Sequence, residues 1–270
     1  MTEGMLQAIT PVILTFNEET NILRTLSCLN WARDIVVVDS GSTDGTIAIL
    51  KSDPHVRMYS RKFDTHHDQW QFATQETDIK TPWILRLDAD YLIPPTLIAE
   101  IARLNPDGPE SAFRIGFDYA IYSHILIGSL YPRNTVLLRR GAYSIHDAGH
   151  TESWQIEGAV GDLAAKILHD DWKPMSAWIV SQANYMTREL SVGQRSRHRF
   201  RDWLRRHPPL MPVAVFFYCL FAKGLILNGR KGLLYTLQRT IAEGIYALLY
   251  LEQRCRSKPA DMKPSDARIP

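Results

Sequence analysis

Cysteine is scarce. Cys28, Cys219 and Cys255 lie far apart in a chain of 270 residues, which excludes a paired disulfide framework and a thiolate metal cluster of ordinary spacing. A reducing compartment is the simple expectation. The first ten residues, MTEGMLQAIT, hold no basic segment followed by an apolar one, so no secretory leader is expected. There is no internal repeat and no low-complexity tract. Long apolar runs are missing too. The longest, Leu210–Ala222, has 13 residues, short of the about 20 needed to cross a bilayer about 30 Å thick. Extending it through Lys223 to Leu227 gives only a poor span.

What is present is ordinary for a globular protein: 45% apolar and 22% charged residues, which excludes a disordered chain. The length suffices for a core without staples. The net charge of +2 hides an asymmetry. Residues 1–172 carry 14 Lys/Arg against 23 Asp/Glu, and residues 173–258 carry 15 against 4. The two parts should therefore meet different partners. The domain organisation expected is an acidic front unit over 1–172, in two halves over about 1–105 and about 106–172. A basic helical region over 173–258 and a flexible tail over 259–270 complete it.

Ile9–Thr15, Ile35–Val38, Val56–Tyr59 and Trp83–Leu87 read as short buried strands. Helical spacing follows the first, with apolar Ile22, Leu26 and Leu29. Further helices are expected from IAIL, over Gln69–Thr77 and over Thr96–Leu104. Alternating strands and helices predict an α/β fold, a mostly parallel sheet with helices on both faces. AFRIGFDYAIY and NTVLLRR suggest more strands, GAYSIHDAGHTESW reads as a loop, and from Met175 on the chain reads as helical and basic.

Ligands of such sheets bind beyond the carboxyl ends of the strands. Asn17 and Glu18, Asp39, and Asp88 with Asp90 all fall at that edge. Asp88-Ala89-Asp90 follows an apolar strand, and carboxylates on alternate extended residues face one way. Unpaired, they repel. A hard divalent cation, Mg²⁺ or Mn²⁺, removes the repulsion and binds phosphates. A solvated turn capping the next helix is the alternative. In VVVDSGSTDGT, Asp39 ends a buried strand, Gly41 and Gly45 permit tight turns, and Ser42 or Thr43 caps a helix. LTFNEE repeats the arrangement at the first strand end, with Asn17 as either ligand or N-cap.

Together, TPVILTFNEETNILRTLSCL, DIVVVDSGSTDGT and WILRLDADYLIP, in this order, resemble the family 2 glycosyltransferases of GT-A fold. Within that family the chain is most similar to the lipopolysaccharide core β-glucosyltransferase-like group. LHDDW and the basic tail extend the resemblance more loosely over residues 140–255. It implies that Thr15, Asn17, Glu18 and Gln69 line the nucleotide pocket and that Asp39 contacts uracil or ribose. It places Asp88 near the ribose and the metal, and Asp90 on the metal. An acceptor hydroxyl then attacks the anomeric carbon while a carboxylate takes its proton. HDAGHTESW offers His146, Asp147, His150 and Glu152. Glu152 is the expected base and Asp147 the next choice, with an ordinary polar loop as the alternative. His169 of LHDDW is a candidate third metal ligand or a structural histidine. One departure stands out. The family's Q-[KR]-N pattern becomes Gln69-Trp70-Gln71, so Trp70 replaces a cation, and either His66 or His67 compensates or donor recognition differs.

The tail carries six arginines, Arg195, Arg197, Arg199, Arg201, Arg205 and Arg206, with Arg188 upstream. Phe200, Trp203 and Leu204 lie between them. Leu233–Leu251 places Leu234, Leu237, Ile241, Ile245 and Leu248 on one helical face. Such a helix beside basic residues lies in a membrane interface, or else packs on the α/β unit with a solvated basic face. Nucleic acid is not expected, because no binding fold accompanies the arginines. The reading is an inverting, metal-dependent transferase moving a hexose from a nucleotide sugar, UDP-glucose first, to a lipid-linked saccharide. It would sit in the cytoplasm on the inner, anionic face of the membrane. A polyprenyl-phosphate glycosyltransferase, or a non-catalytic nucleotide-binding protein, is the alternative.

Overall fold

A computed structural model of the chain describes residues 4–147, 152–192, 207 and 210–256. His150, the arginines at 195–206 with the aromatics between them, and the tail over 259–270 lie outside the described residues. After a 3-10 turn at Met5–Ala8, the apolar runs fold as they read. They give β1 (Ile9–Thr15), α1 (Ile22–Ser27), β2 (Ile35–Asp39), α2 (Thr46–Ser52), β3 (Val56–Ser60), α3 (His66–Gln75) and β4 (Trp83–Asp88). β3, β2, β1 and β4 lie side by side, all parallel.

The inner strands β2 and β1 are apolar on both faces because both are covered. On one side Ile22, Leu26 and Leu29, the positions at helical spacing, bury with Leu50 against Ile13. On the other, Trp70 and Ala73 of α3 pack on Val12, Val36 and Ile84. Each such side chain contributes about 1.5–3 kcal/mol when fully buried. α3 begins three residues before the predicted start. Thr65 caps it, its hydroxyl oxygen accepting from the Asp68 N–H at 3.0 Å. That threonine is a start signal the polar His66-His67 pair conceals.

The next elements are β5 (Tyr91–Leu92), α4 (Pro95–Ile101, with Pro95 in its first turn), β6 (Glu110–Ile121), β7 (His124–Ile125), β8 (Asn134–Arg139) and β11 (Ala159–His169). Between β8 and β11 come β9 (Tyr143–Asp147) and β10 (Glu152–Ile156). The sheet continues from β4 through β8, β6 and β11 to β5. β8 runs antiparallel to both neighbours, and β11 runs parallel to β6. The stretch expected as a loop around Tyr143–Trp154 is, where described, an antiparallel pair with Asp147 opposite Glu152. Tyr143, Ile145, Trp154 and Ile156 pack toward α3. Interleaved polar residues hid that alternation.

β11 is the element whose placement matters most. Its end pairs with two strands at once: His169 lies beside Tyr119 of β6 and beside Tyr91 of β5. This carries a residue from position 169 to the strand-end edge where Asp90 sits.

The rear of the chain is helical: α5 (Met175–Val192), α6 (Leu210–Phe217) with a π turn at Tyr218–Ala222, a 3-10 turn at Leu225–Asn228, and α7 (Gly229–Arg256). Val215, Cys219, Leu225 and Tyr235 join Tyr119, Ile121 and Leu126 in a third core cluster, which ties the helices to β6. The Tyr235 hydroxyl accepts from the Leu130 N–H at 2.7 Å. Gly232 is required here, since a Cβ would stand 1.9 Å from the Leu225 carbonyl oxygen. Glycine inside a helix ordinarily costs about 0.5–1 kcal/mol relative to alanine. Gly232→Ala is nevertheless expected to destabilise, by about 1–3 kcal/mol, because the turn must move off the helix. Thermal unfolding measures the sign directly.

Candidate active site

The two front loops are zipped together by short polar side chains. Asn17, at φ 53°, has its N–H bonded to Ser42 Oγ at 2.8 Å and its Oδ1 accepting from the Thr43 N–H at 2.8 Å. The Glu18 N–H reaches Thr46 Oγ1 at 2.7 Å. Asp39 is 1% exposed. Its Oδ1 accepts from the N–H groups of Gly41 and Ser42, and its Oδ2 from the hydroxyls of Thr15 and Ser42. Gln69 is also buried, holding Ser40 Oγ at 2.8 Å and accepting from Arg61 at 2.6 Å. Thr15, Asp39 and Gln69 thus lie beneath the loop surface, not on it. Their polar groups serve the turn, because a strand end this deeply buried must satisfy its own donors and acceptors.

At the next strand end, β4 stops at Asp88, and Ala89-Asp90 turn before β5. The two carboxylates therefore do not share one uninterrupted strand. The reason is β5, which must reverse to pair with β11. The turn is clamped, since Thr25 Oγ1 donates to the Ala89 carbonyl at 2.6 Å. Asp88 keeps accessible surface. Protein still encloses it enough that burial, with the Asp90 charge beside it, pushes its carboxyl above the usual carboxylate range. Accessible yet enclosed describes a group on the floor of a recess.

Asp90 is more recessed. Its Oδ2 lies 3.1 Å from His169 Nε2. Burial alone would raise this carboxyl; His169, aided by Lys173, outweighs burial and holds it low. The imidazole is boxed by tyrosines: it stacks on Tyr131 at 4.7 Å, with Tyr119 at 4.6 Å and Tyr91 at 5.6 Å.

Among the described residues no three His, Cys, Asp or Glu side chains gather into a metal-binding group. Of the three residues expected there, Asp90 and His169 touch, and Asp88 is close enough to feel the Asp90 charge. Two atoms tell whether a cation suits the place. Asp90 Oδ1 and His169 Nδ1 are buried with no hydrogen-bond partner. A buried carboxylate oxygen lacking a donor is costly, and a hard cation is what it suits. The donor set fits Mg²⁺ or Mn²⁺.

Glu152 points into the same region from β10. Its Oε1 pairs with Arg86 Nη1 at 2.5 Å and accepts from Trp154 Nε1 at 3.0 Å. Burial would raise its carboxyl, but the Arg86 charge and the Trp154 bond outweigh it and hold the group below the usual range. Asp147, opposite Glu152 on the strand pair, is exposed. Trp70 does not face the recess. It is buried edge-to-face against Trp154 at 5.8 Å, with the Arg86 guanidinium 5.7 Å over its ring. The cation at this place comes from β4 and not from α3. His66 stands at the edge of the region, 6.4 Å from the Tyr185 ring, and His67 pairs with Asp68 at 2.8 Å.

Three groups escaped the sequence reading. Arg86 sits two residues before Asp88 and so on the same strand face, a periodicity that could have revealed it. Lys173, the residue after LHDDW, pairs with Glu18 Oε1. Burial still pushes Glu18 up to about 8, with the Asp90 charge adding and Lys173 opposing. Asp170 is fully buried. It accepts from Arg24 Nη2 at 2.5 Å, the Ser123 N–H at 3.1 Å and Trp172 Nε1 at 2.9 Å.

Residues 10–137 match the model of glycosyl transferase family 2. A lipopolysaccharide core biosynthesis glycosyltransferase, LpsC, of Rhizobium meliloti (strain 1021) is 27% identical over 252 residues, 88% of each chain. An uncharacterised glycosyltransferase of Rickettsia bellii (strain RML369-C) is 35% identical over 102 residues, 37% of this chain and 34% of that protein. The crystal structure of S. aureus TarS 1-349 in complex with UDP aligns over 94% of this chain and 95% of that one, at 13% identity and a TM-score of 0.47. With its three motifs at neighbouring strand ends of one sheet, residues 10–137 form a glycosyl transferase family 2 domain, and the chain is a glycosyltransferase.

Proposed function

We propose that the protein is an inverting, metal-dependent hexosyltransferase. Its donor is a nucleoside-diphosphate sugar, UDP-glucose first, and its acceptor a hydroxyl of a lipid-linked saccharide such as lipopolysaccharide core. The observation that carries the reading is Asp90 at the strand end, tied to His169 on one oxygen and unsatisfied on the other. The likeness to LpsC over most of both chains supports the acceptor class. The catalytic unit is the α/β part, residues 1–172; the helical region 173–258 serves an anionic membrane surface where the acceptor resides.

Asp90 and Asp88, with His169 once it is deprotonated, would hold Mg²⁺ or Mn²⁺, which when bound supplies positive charge against the departing diphosphate. Thr15, Asn17, Glu18, Asp39 and Gln69 shape the nucleotide pocket chiefly by fixing its loops. The acceptor hydroxyl attacks the anomeric carbon, and Glu152 takes its proton. Arg86 and Trp154 keep Glu152 ionised and fix its direction. Asp147 is the alternative base.

Glu152→Gln is expected to lower kcat about 10²–10⁴-fold with donor KM nearly unchanged and nucleotide binding intact. Asp147→Asn serves as the comparison, and the larger loss identifies the base. Losses below tenfold in both variants would sink the hydroxyl acceptor and favour a phosphate acceptor, which needs no base. Thermal-shift measurements with UDP and UDP-sugars, with and without Mn²⁺, test the donor. A binder raises stability with its concentration over its Kd, and no response to any nucleoside diphosphate would overturn the reading.

A further inference from the structure

Two stretches of the chain hold no Asp or Glu: residues 119–146 and residues 203–242. They are the two longest acid-free stretches in the sequence, and their described parts pack on each other. The Ile127 N–H donates to Asn228 Oδ1 at 3.1 Å, and the Asn228 amide nitrogen lies 3.2 Å from His124 Nε2. Gly128 is seated against the Lys223 carbonyl, so close that a Cβ would stand 2.7 Å from it. The loop between β7 and β8 is thus docked on the bend between α6 and α7.

The outer surface of this junction is apolar. Phe217 and Phe221, one helical turn apart, stack on each other at 6.1 Å and are both more than half exposed. Leu227, at the bend itself, is 81% exposed, and Ile127 of the docked loop 60%. Side chains like these occur singly on soluble surfaces without consequence; gathered from two segments into one patch, they mark an interaction site.

Lys223, Arg230 and Lys231 stand around the patch. Lys223 lies 5.8 Å over the Tyr218 ring, and the Lys231 ammonium reaches the Tyr122 carbonyl. An apolar tip with a basic rim, built from two stretches that hold no acid of their own, complements a lipid layer with anionic headgroups. The rim cations meet the headgroups while the tip passes below them. A protein partner of ordinary surface would not require forty successive residues free of acid.

The shape argues for partial entry. Among the described residues no single helix is long and apolar enough to cross a membrane. Leu210–Ala222 and Leu225–Arg256 meet at 74°, as in a broken span or a re-entrant loop. Arg239 and Glu243 follow on α7, and no bilayer centre accepts such residues cheaply. The tip is also joined to the site. Tyr235 of α7 contacts Tyr119 at 4.7 Å, and Tyr119 contacts His169 at 4.6 Å.

We infer that the α6–α7 bend and the β7–β8 loop form a wedge that enters one leaflet of an anionic membrane, with Phe217, Phe221, Leu227 and Ile127 at its tip. The inference deepens the proposed function by naming where a lipid-borne acceptor meets the site. Its test needs no turnover, so it holds or fails apart from that reading.

The full chain is sedimented with vesicles of phosphatidylglycerol and phosphatidylethanolamine, and separately with phosphatidylcholine alone. Binding to the anionic vesicles is expected, with weaker binding to phosphatidylcholine. The double variant Phe221→Asp with Leu227→Asp should lower the partition coefficient at least about tenfold. Its melting temperature and its nucleotide-induced thermal shift should not change, because both side chains already face outward. Ile127→Asp, on the other segment, should weaken binding independently and covers the case in which the double variant fails to fold. Equal partition of these variants and the native chain would overturn the wedge. So would binding lost only when the arginines at 195–206 are replaced by glutamine. A native chain that light scattering finds dimeric, that ignores vesicles, and that the double variant renders monomeric would assign the face to a second copy instead.

Discussion

Asp90→Ala is expected to lower kcat for sugar transfer about 10²–10³-fold, the scale of losing one preorganised electrostatic contact to a developing charge. The effect should fall on kcat more than on donor KM. The extra thermal stabilisation that Mn²⁺ gives with UDP should vanish, while any stabilisation by UDP alone persists. The geometry is the reason. Asp90 Oδ1 is buried and has no donor, and Oδ2 is already committed to His169. Removing the carboxylate removes the proposed oxygen ligand with no other partner and leaves Asp88, which burial already disfavours as an anion. Asp90→Asn, of the same shape without the charge, should resemble alanine in turnover. A variant that keeps more than a tenth of native turnover would exclude Asp90 from the site.

The same pair sets a pH dependence. Burial lowers the His169 pKa, but the Asp90 charge and hydrogen bond outweigh it and raise the ring above its ordinary 6.5. The stability this pair adds is therefore fully present from the ordinary carboxylate range up to about pH 6.5, and is lost as pH rises through the raised imidazole value or falls through the lowered carboxyl value. Cation affinity runs the other way, because the ring must give up its proton before it ligates. Mn²⁺ shifts measured across this window should grow with pH in the native protein. In His169→Gln they should be flatter.

The second large effect is on stability. Asp170→Ala should destabilise the fold by about 3 kcal/mol, the lower end for breaking a buried ion pair from one side. Arg24 is partly exposed and can recover some hydration, which is why the lower end applies. For a chain of this size that is a loss of about 6–12 °C in Tm. Asp170 does more than neutralise Arg24. It holds Ser123, which with Tyr122 forms a two-residue turn at positive φ between β6 and β7. Neither residue adopts that conformation cheaply. Asp170→Asn keeps an acceptor for the turn and should lose less. Equal stability of native chain and alanine variant in denaturant unfolding would refute the assignment.

The front of the sheet was legible because its signals are local. Strand β2 is an apolar run up to Asp39, β1 and β4 are apolar apart from Thr10 and Arg86, and each polar strand end is adjacent to these runs in sequence. The strand pair β9–β10 and the long strand β11 were not, because Asp162, Lys166 and the residues around His146 break the apolar alternation. The site was half legible for a related reason. Asp88, Asp90 and His169 could be named from their flanks. The roles of Arg86, Lys173 and Asp170 depend on which residues the sheet order brings alongside them. Asp39 shows a further limit: the motif marks a carboxylate at a strand end, but not that the turn's own N–H and hydroxyl groups hydrogen-bond to it.

The placement of β11 and its following residues also bears on how the molecule is made. Asn21 bonds to Asp171 and to Trp172, and Arg24 to Asp170, so residues some 150 positions apart must meet. Contacts of such long range form late, after closing a loop whose entropy they must repay. On the ribosome, the parallel front strands emerge complete while His169 is still unsynthesised. The proposed cation site is therefore incomplete until β11 slides in beside the turn at Ala89, and its maturation would report that the whole sheet has closed.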